Sequence, residues 1–359
     1  MRFIEIVKLI YREILFVIYS KRKNNFSKLF IVYIPLTLQR ATVIRALKPA
    51  FISTMSRSGT WYNREFYYFY NELLKGRTSS EILKSMIFSK LKISSLIKTG
   101  YNKIGYDAFF ISHWLCPGFS DYNGKFRKDW DNLKFYSDYT YPSNFDQISG
   151  YFNSEQIKMR YDISNNWVPV NNADSKLVYF YRNPLDQSVA YFSAIQNMKL
   201  QKLRYRKDSQ GNLVLIQDIH EFLRTVGMDM YIKHLLTFQL MKKKYPNNLL
   251  LITYENLVRD PKIIFHKVLN FLGHDVTLSG NYEKFEKALN MSSKENIIKL
   301  ENAYGRSIPG HYKDEFNDER QLRDGRIGKW KKYLDKNDLN YITQRLQEYD
   351  ILLDDFTIE

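Results

Sequence analysis

The sequence PAFISTMSRSGTWY at residues 49–62 joins an apolar run to a short loop and the start of a helix. Residues 49–54 form a nearly continuous apolar run, which is typical of a strand in a sheet covered on both faces. The loop that follows is rich in small hydroxyl residues and contains Arg57 and Gly59. Free N–H groups at the start of a helix, together with the helix dipole, attract an anion. The stretch therefore predicts a phosphate loop at the end of a buried strand.

The side chains of this loop suit an anion, although the loop is not a Walker A motif. Ser58 and Thr60 offer hydroxyl donors, Gly59 lets the backbone approach a ligand, and Arg57 carries a permanent positive charge. The loop lacks the paired glycines and the Lys-Ser/Thr pair of Walker A, so ATPase or GTPase function is disfavoured. An ordinary helix cap at Ser56 or Ser58 is the alternative explanation.

Apolar runs and helical stretches alternate along the chain. This alternation predicts an α/β fold with a central parallel sheet flanked by helices. In such folds, ligands bind where strand ends meet helix starts. Two polar stretches, residues 117–172 and 199–213, do not fit the alternation. The other predicted strands are residues 108–112, 177–181 and 249–253, and the predicted helices are residues 62–75, 184–200, 219–243 and 262–272.

A second strand-to-helix turn has the sequence RNPLDQSVAY at residues 182–191. Asn183 suits a helix cap, Pro184 suits the first helical turn, and Asp186 complements the helix dipole. Arg182 is then expected at the carboxyl edge of the sheet, facing the ligand crevice. The two turns together place two arginines and two helix starts at one edge.

The composition excludes several classes of protein. The chain has 359 residues, of which 44% are hydrophobic, so it can bury a core and is neither collagen-like nor wholly disordered. Cys116 is the single cysteine, which excludes an internal disulfide and a multi-thiolate metal site. The net charge of +16 predicts an anionic partner without identifying which kind.

Four segments together resemble the sulfotransferases that use 3′-phosphoadenosine 5′-phosphosulfate (PAPS). SRSGTW at residues 56–61 resembles the family's 5′-phosphosulfate loop, and YFYRNPLDQSVAYF at residues 179–192 resembles its 3′-phosphate motif. LLITYENLVRDP at residues 250–261 resembles the strand and YEDL turn of the family. RDGRIGKWK at residues 323–331 resembles its late RKGxxGxW loop. Four matches in the family's order argue against chance.

The resemblance implies that the first segment holds the sulfated end of the donor. Arg57, where the family usually has Lys, would contact the bridging oxygen and the 5′-phosphate. Trp61 and Tyr62 lie at and beside a family Trp that stacks near adenine, so either ring is a candidate for that contact. The rest of the implied cradle is Ser58, Gly59 and Thr60.

The resemblance also implies a site for the 3′-phosphate. In the family this group is bound by the arginine of the second segment and by a serine that follows it on the helix. Arg182 matches the arginine, but the serine position is Ala190 in this chain. Ser188 is a candidate ligand, although it lies ~200° away from residue 190 around a helix.

The two later segments complete the implied nucleotide site. Arg323 and the backbone of Gly325 match the late loop, whereas the family's lysine is replaced by Asp324, which reverses the charge. Arg326 is the candidate to offset that reversal. Tyr254 matches a tyrosine that contacts the nucleoside.

A catalytic base is needed because the pKa of an acceptor hydroxyl is far above neutral. AFFISHWLCP at residues 108–117 resembles the family segment that carries the catalytic histidine, here His113. Imidazole titrates near neutrality and can accept the proton. A structural histidine is the alternative. Other branches of the family use a Glu after the phosphate loop, so the fallback bases are Glu65, Glu72 and Glu81.

The implied reaction is an in-line transfer of a sulfuryl group from PAPS to a hydroxyl, which leaves 3′-phosphoadenosine 5′-phosphate (PAP) as product. No metal is required, because Arg57 and the loop amides would stabilise the charge on the departing phosphate. His113 and Cys116 form an HxxC pair, which is too little for a zinc site.

The acceptor is predicted to be a hydroxyl on a carbohydrate or glycolipid. Residues 117–172 interleave aromatic residues with Asn and Asp, which suits a sugar, although an ordinary covering lid fits equally well. Basic runs at residues 202–207 and 242–244 are interpreted as solvated faces rather than as guides for an acidic acceptor. Nucleic acid is not predicted as a partner.

Two other functions are retained as alternatives. One is a P-loop nucleotide-dependent phosphotransferase. The other is a catalytically silent protein that binds anions or sulfated glycans, for which Ala190 and Asp324 are the arguments.

The chain is predicted to have three parts. Residues 1–46 form a basic amphipathic helical segment, residues 47–345 form the sulfotransferase domain with the insert, and residues 346–359 form a C-terminal tail. Uncharged runs near the N-terminus are too short to span a bilayer. Packing of the first helix on the domain is favoured, and contact of residues 1–30 with an anionic membrane is the alternative. The predicted location is cytoplasmic, with membrane association as the alternative.

Overall fold

The computed structural model describes nine stretches of the chain. Several sequence predictions lie outside them, namely the N-terminal segment 1–46, the insert 117–172, and the residues His113, Arg323 and Asp324. The described residues are 49–88, 96–98, 108–112, 176–197, 205–207, 209–210, 212–278, 280–304 and 325–356.

Five strands form the central sheet in the order β2-β3-β1-β4-β7. Strands β3, β1, β4 and β7 are parallel, and β2 is antiparallel to β3. The fold class predicted from the sequence, α/β with a central parallel sheet, is therefore confirmed. Strands β5 and β6 form a separate antiparallel pair. The strands are β1 (Pro49–Thr54), β2 (Leu96–Lys98), β3 (Ala108–Ser112), β4 (Lys176–Tyr181), β5 (Tyr205–Lys207), β6 (Leu213–Leu215) and β7 (Leu249–Thr253).

Helices follow most of the strands, and their bounds agree with the predicted ones to within a few residues. The exception is the predicted helix 219–243, which is divided by a π-helical turn at Leu223–Gly227. The helices are α1 (Thr60–Leu74), α2 (Ser79–Phe88), α3 (Pro184–Asn197), α4 (Ile219–Phe222), α5 (Met228–Lys244), α6 (Tyr254–Arg259), α7 (Pro261–Phe271), α8 (Asn281–Met291), α9 (Lys294–Tyr304) and α10 (Lys336–Gln347), with short 3₁₀ helices at Lys329–Lys332 and Leu353–Phe356.

The sheet is covered by a hydrophobic core on each face. We call these the α3 core and the α1 core after the helix that each contains. Along β4, Leu177 and Tyr179 belong to the α3 core, whereas Val178 and Phe180 belong to the α1 core. Successive side chains of a strand point to opposite faces, so a strand between two cores must be apolar at every position. This explains the continuous apolar runs in the sequence.

The two cores bring two helix starts together at one edge of the sheet. Helix α1 follows β1 and packs Phe66 and Phe69 in the α1 core, while α3 follows β4 and packs Leu185 and Val189 in the α3 core. Strands β1 and β4 are adjacent and parallel. Their following helices therefore leave toward opposite faces, which opens a crevice at the carboxyl ends of the two strands.

Two regions without a predicted helix or strand have order in the structure. The polar stretch 199–213 contains β5 and the first residue of β6, which pair with Tyr205 opposite Leu215. Residues Tyr349, Ile351 and Phe356, which lie in the predicted C-terminal tail, pack in the α3 core. Within the described ranges, none of the helices combines the length and the apolar character needed to cross a membrane.

We expect Leu177→Ala to lower the free energy of unfolding by about 2–5 kcal/mol, because this side chain is fully buried in a central strand. Leu278→Ala is the matched control, since Leu278 is 58% exposed and its loss should change stability by less than about 0.5 kcal/mol. Urea unfolding measures both variants. Equal losses in the two would contradict the assignment of β4 to the centre of the fold.

Candidate active site

The loop between β1 and α1 is a tight turn held against the neighbouring strand. The backbone N–H of Met55 donates to the carbonyl of Phe180 at 2.8 Å, and the N–H of Ser58 donates to the carbonyl of Met55 at 3.0 Å. Arg57 has a φ of 69°, in the left-handed region that is uncommon for a residue with a side chain. Such strain persists only where the surroundings enforce it, and it is concentrated at functional sites.

Gly59 lets the loop lie directly against α6. Its φ is 85°, and a Cβ atom at this position would lie 3.1 Å from Cδ2 of Tyr254 and 3.2 Å from Cδ2 of Leu257. The glycine is therefore required both by the backbone conformation and by the close approach of two side chains.

The hydroxyl groups of the loop differ in their environments. Ser58 is fully buried, and its Oγ has no hydrogen-bond partner in the described part of the chain. The Oγ atoms of Thr60 and Thr54 form a hydrogen bond of 2.6 Å. A buried hydroxyl without a partner costs free energy, so Ser58 is a donor that is ready for a ligand. Thr60 also has a structural role in closing the turn.

The two aromatic residues at the start of α1 face different surroundings. The ring of Tyr62 packs edge-on against Phe265 at 5.2 Å between centroids, so it contributes to the α1 core. Burial raises the pKa of its phenol, and nearby carboxylates add to this effect. Trp61 is partly exposed, and the Arg64 guanidinium lies 5.2 Å from its ring centroid. Both residues are partly exposed, and Tyr62 is the one whose ring packs against the α1 core.

Arg182 lies between the phosphate loop and the late loop. Its Nη1 donates to the carbonyl of Arg57 at 3.4 Å, and its Nη2 donates to the carbonyl of Arg326 at 3.0 Å. The guanidinium carbon also lies 4.6 Å from the ring centroid of Tyr254. The sequence placed Arg182 at the carboxyl edge facing the crevice. The structure places it at that edge, but the residue is only 5% exposed and its side chain binds both loops.

A buried carboxylate accompanies this arginine. Glu255 is 1% exposed, its Oε1 accepts the backbone N–H of Asn183 at 3.1 Å, and the same oxygen lies 3.9 Å from Nε of Arg182. Burial raises the pKa of the Glu255 carboxyl, while the Asn183 amide and the Arg182 charge act in the opposite direction. Sequence analysis missed this role, although Glu255 directly follows the matched Tyr254.

The first turn of α3 holds both loops. The carboxylate of Asp186 accepts the N–H of Gly328 at 2.7 Å and the N–H of Trp330 at 3.1 Å. The side chain of Gln187 donates to the carbonyl of Ser56 at 3.1 Å. As predicted, Asn183 caps the helix, since its Oδ1 accepts the N–H of Leu185 at 2.9 Å. The sequence therefore located the cap, but not the contacts made by Asp186 and Gln187.

Tyr254 connects α6 to the late loop. Its hydroxyl donates to the carbonyl of Gly325 at 3.2 Å. Burial raises the pKa of this phenol, and the positive charges of Arg182 and Arg57 partly offset the rise. Tyr254 and Gly325, which are far apart in the sequence, are thus brought together with both predicted arginines.

Ser188 is fully buried on α3, and its Oγ has no hydrogen-bond partner among the described residues. Ala190, which occupies the family's serine position, is partly buried. The hydroxyl at 188 is therefore a second unused donor near the start of α3.

The three fallback bases have different surroundings. Burial would raise the pKa of Glu72, but hydrogen bonds from Lys75 and Arg77 outweigh burial and lower it. Hydrogen bonds from Thr78 lower the pKa of Glu81. A lowered pKa makes a carboxylate a weaker base. Glu65, the third candidate, lies on α1 and is 1% exposed.

His113 lies outside the described residues, but the strand before it is well placed. Ser112 ends β3, and it pairs with Ser53 of β1. The carboxyl end of β3 is therefore adjacent to the strand that leads into the phosphate loop.

A phosphate-type loop at the switch point of a doubly wound sheet defines an α/β protein that binds an anionic ligand, most often a nucleotide. The family can be stated more closely. The protein-family model of the sulfotransferase domain matches residues 47–350, so the chain belongs to this family. The resemblance found in the sequence is confirmed, and the match supports the predicted enzyme class and donor.

Several individual proteins are similar to this chain. Cytosolic sulfotransferase 14 of Arabidopsis thaliana is 26% identical over 150 residues, a match that spans 41% of this chain and 41% of that relative. A retinol dehydratase, solved with androsterone and the inactive cofactor PAP, is 17% identical with a TM-score of 0.46, covering 88% of this chain and 85% of the other. Mouse sulfotransferase SULT7A1, solved with PAP, is 16% identical with a TM-score of 0.43, covering 84% of each chain.

Gly59→Ala should destabilise the protein more than the same change at Gly76. Both glycines have a positive φ, of 85° and 86°, and alanine in that conformation costs about 1–2 kcal/mol. Only at Gly59 would the new Cβ also meet Tyr254 and Leu257, whereas nothing lies within 4 Å at Gly76. We expect an additional loss of about 1 kcal/mol or more at Gly59 in urea unfolding. Equal losses would show that the loop does not pack on α6 as described.

Proposed function

We propose that this protein transfers a sulfuryl group from PAPS to an acceptor hydroxyl. The observation that carries the proposal is the position of Arg182, whose guanidinium binds the carbonyls of both Arg57 and Arg326. One arginine thus connects the loop matched to the phosphosulfate end with the loop matched to the 3′-phosphate end. Membership of the sulfotransferase family supports the same donor.

The described residues fit a nucleotide with phosphate groups at both ends. At one end, the buried Ser58 hydroxyl has no hydrogen-bond partner among the residues that the structure describes, and Gly59 leaves no space between the loop and Tyr254. At the other end, Ser188 Oγ and Arg182 Nε also lack hydrogen-bond partners in the described chain. These three buried polar groups would each be costly without a ligand or water to satisfy them.

The residues divide into two groups around the donor. The group at the phosphosulfate end is Arg57, Ser58, Gly59 and Thr60, and the group at the 3′-phosphate end is Arg182, Ser188, Arg323 and Gly325. Trp61 and Tyr254 are proposed to contact the nucleoside. We favour Trp61 over Tyr62 because the Tyr62 ring packs in the α1 core.

PAPS would supply an activated sulfuryl group, and the chain would supply a base, positioning and positive charge. His113 is proposed to accept the proton of the acceptor hydroxyl, a role typically worth ~10²–10⁴-fold in rate. Arg57 and the loop amides would stabilise the charge that develops on the 5′-phosphate. The pairing of Ser112 with Ser53 supports this arrangement, because His113 directly follows Ser112.

The acceptor is proposed to be a hydroxyl on a carbohydrate or a lipid-linked molecule. The support is the interleaving of aromatic, Asn and Asp residues at 117–172. Residues 1–30 are basic and amphipathic, and contact of this segment with a membrane surface remains the alternative to its packing on the domain.

Labelled PAPS and a panel of sugars, glycolipids and sterols test this function. We expect transfer to at least one acceptor, and we expect His113→Ala and Arg57→Ala each to lower the rate by about 10²-fold or more. Matched controls are His266→Ala on α7 and Arg259→Ala, an exposed arginine in the last turn of α6.

Each contrary outcome points to a different conclusion. Full transfer by both site variants would reject the assigned residues. Magnesium-dependent phosphoryl transfer from ATP would indicate the phosphotransferase alternative. Tight binding of PAP without transfer to any acceptor would indicate the catalytically silent alternative.

A further inference from the structure

Asp186 is, like Glu255, a buried carboxylate beside residues that are suited to anions. It is 2% exposed and belongs to the first turn of α3, four residues after Arg182. Its charge has the same sign as that of a nucleotide phosphate, so it cannot serve as a phosphate ligand. Its two oxygens instead accept the backbone N–H groups of Gly328 and Trp330, at 2.7 and 3.1 Å.

These two hydrogen bonds fix the start of a short 3₁₀ helix. Gly328 has a φ of 80° and directly precedes the helix at Lys329–Lys332. As the N-cap residue of that helix, it provides no side-chain hydrogen bond to the helix backbone. Asp186 satisfies two backbone donors there from a position 142 residues earlier in the chain. Hydrogen bonds to a charged acceptor are about twice as strong as neutral ones.

Two other side chains hold the same segment from the opposite end. Arg182 binds the carbonyl of Arg326, and Tyr254 binds the carbonyl of Gly325. Both of these residues are already assigned to the nucleotide. Of Arg182, Tyr254 and Asp186, only Asp186 contacts the segment 325–330 without also being assigned a contact with the nucleotide.

We propose that Asp186 is a positioning residue that holds residues 325–330 at the 3′-phosphate end of the donor. The inference rests on the proposed function, because it takes PAPS and PAP as the ligands. The carboxylate thereby determines how strongly the protein prefers a nucleotide that carries a 3′-phosphate over one that lacks it. The effect acts through the backbone at Gly328 and Trp330.

Asp186→Asn tests this role with little change in size. The amide keeps one oxygen acceptor but places an NH₂ group against a backbone N–H, so one of the two hydrogen bonds is lost. By calorimetry, we expect the Kd for PAP to rise by about 10-fold or more. The Kd for adenosine 5′-phosphate, which has no 3′-phosphate, should change by less than about 2-fold. Amide hydrogen exchange at Gly328 and Trp330 should become faster.

Asp335→Asn is the matched control. Asp335 also accepts a backbone N–H, that of Asp338 at 2.9 Å, and it caps α10, a helix to which no donor-binding residue is assigned. We expect this variant to lose stability without a change in the ratio of the two Kd values. A general loss of structure in Asp186→Asn would weaken both nucleotides equally and would overturn the inference.

The outcomes separate this inference from the proposed function. If the unaltered protein does not bind PAP, the proposed function fails and the inference fails with it. If the unaltered protein binds PAP and Asp186→Asn keeps the same preference for PAP over adenosine 5′-phosphate, the inference alone is wrong. Tighter binding of PAP by Asp186→Asn would show that the carboxylate acts by repulsion, which would also overturn it.

Discussion

The arrangement of this site depends on one buried guanidinium. Arg182 is 5% exposed, and a charge in such a position is costly unless its surroundings compensate for it. Here the compensation comes from two backbone carbonyls, the face of the Tyr254 ring and the nearby Glu255 carboxylate. Because these partners belong to separate segments of the chain, the arginine fixes the relative positions of the loops that it contacts.

The sheet explains why those segments meet. Helices α1 and α3 leave adjacent parallel strands toward opposite faces, and each is held there by its own hydrophobic core. Two helix starts then face one crevice without competing for the same space. The apolar cores thus determine where the crevice lies.

Negative charge inside this site has an orienting role. The chain carries a net charge of +16, yet Glu255 and Asp186 are both buried at the crevice. Each accepts backbone N–H groups from another segment, so each determines where a neighbouring backbone or arginine lies. The overall positive charge favours an anion at long range, whereas we propose that these two carboxylates orient the residues that would bind it.

The sequence by itself determined the α/β class, four of the five strands of the sheet, the two strand-to-helix turns and the family, because these features depend on local patterns of apolar residues and turn residues. It did not predict β2 or the hairpin of β5 and β6, which are three-residue strands with too little sequence to form a pattern. Only the tertiary structure decided that Arg182 is buried between two loops, that Glu255 accompanies it and that Asp186 holds Gly328. Glu255 and Asp186 contact residues 72 and 142 positions away in the chain. Contacts over such separations arise from the packing of the whole sheet and leave no periodic signal in the sequence around either partner.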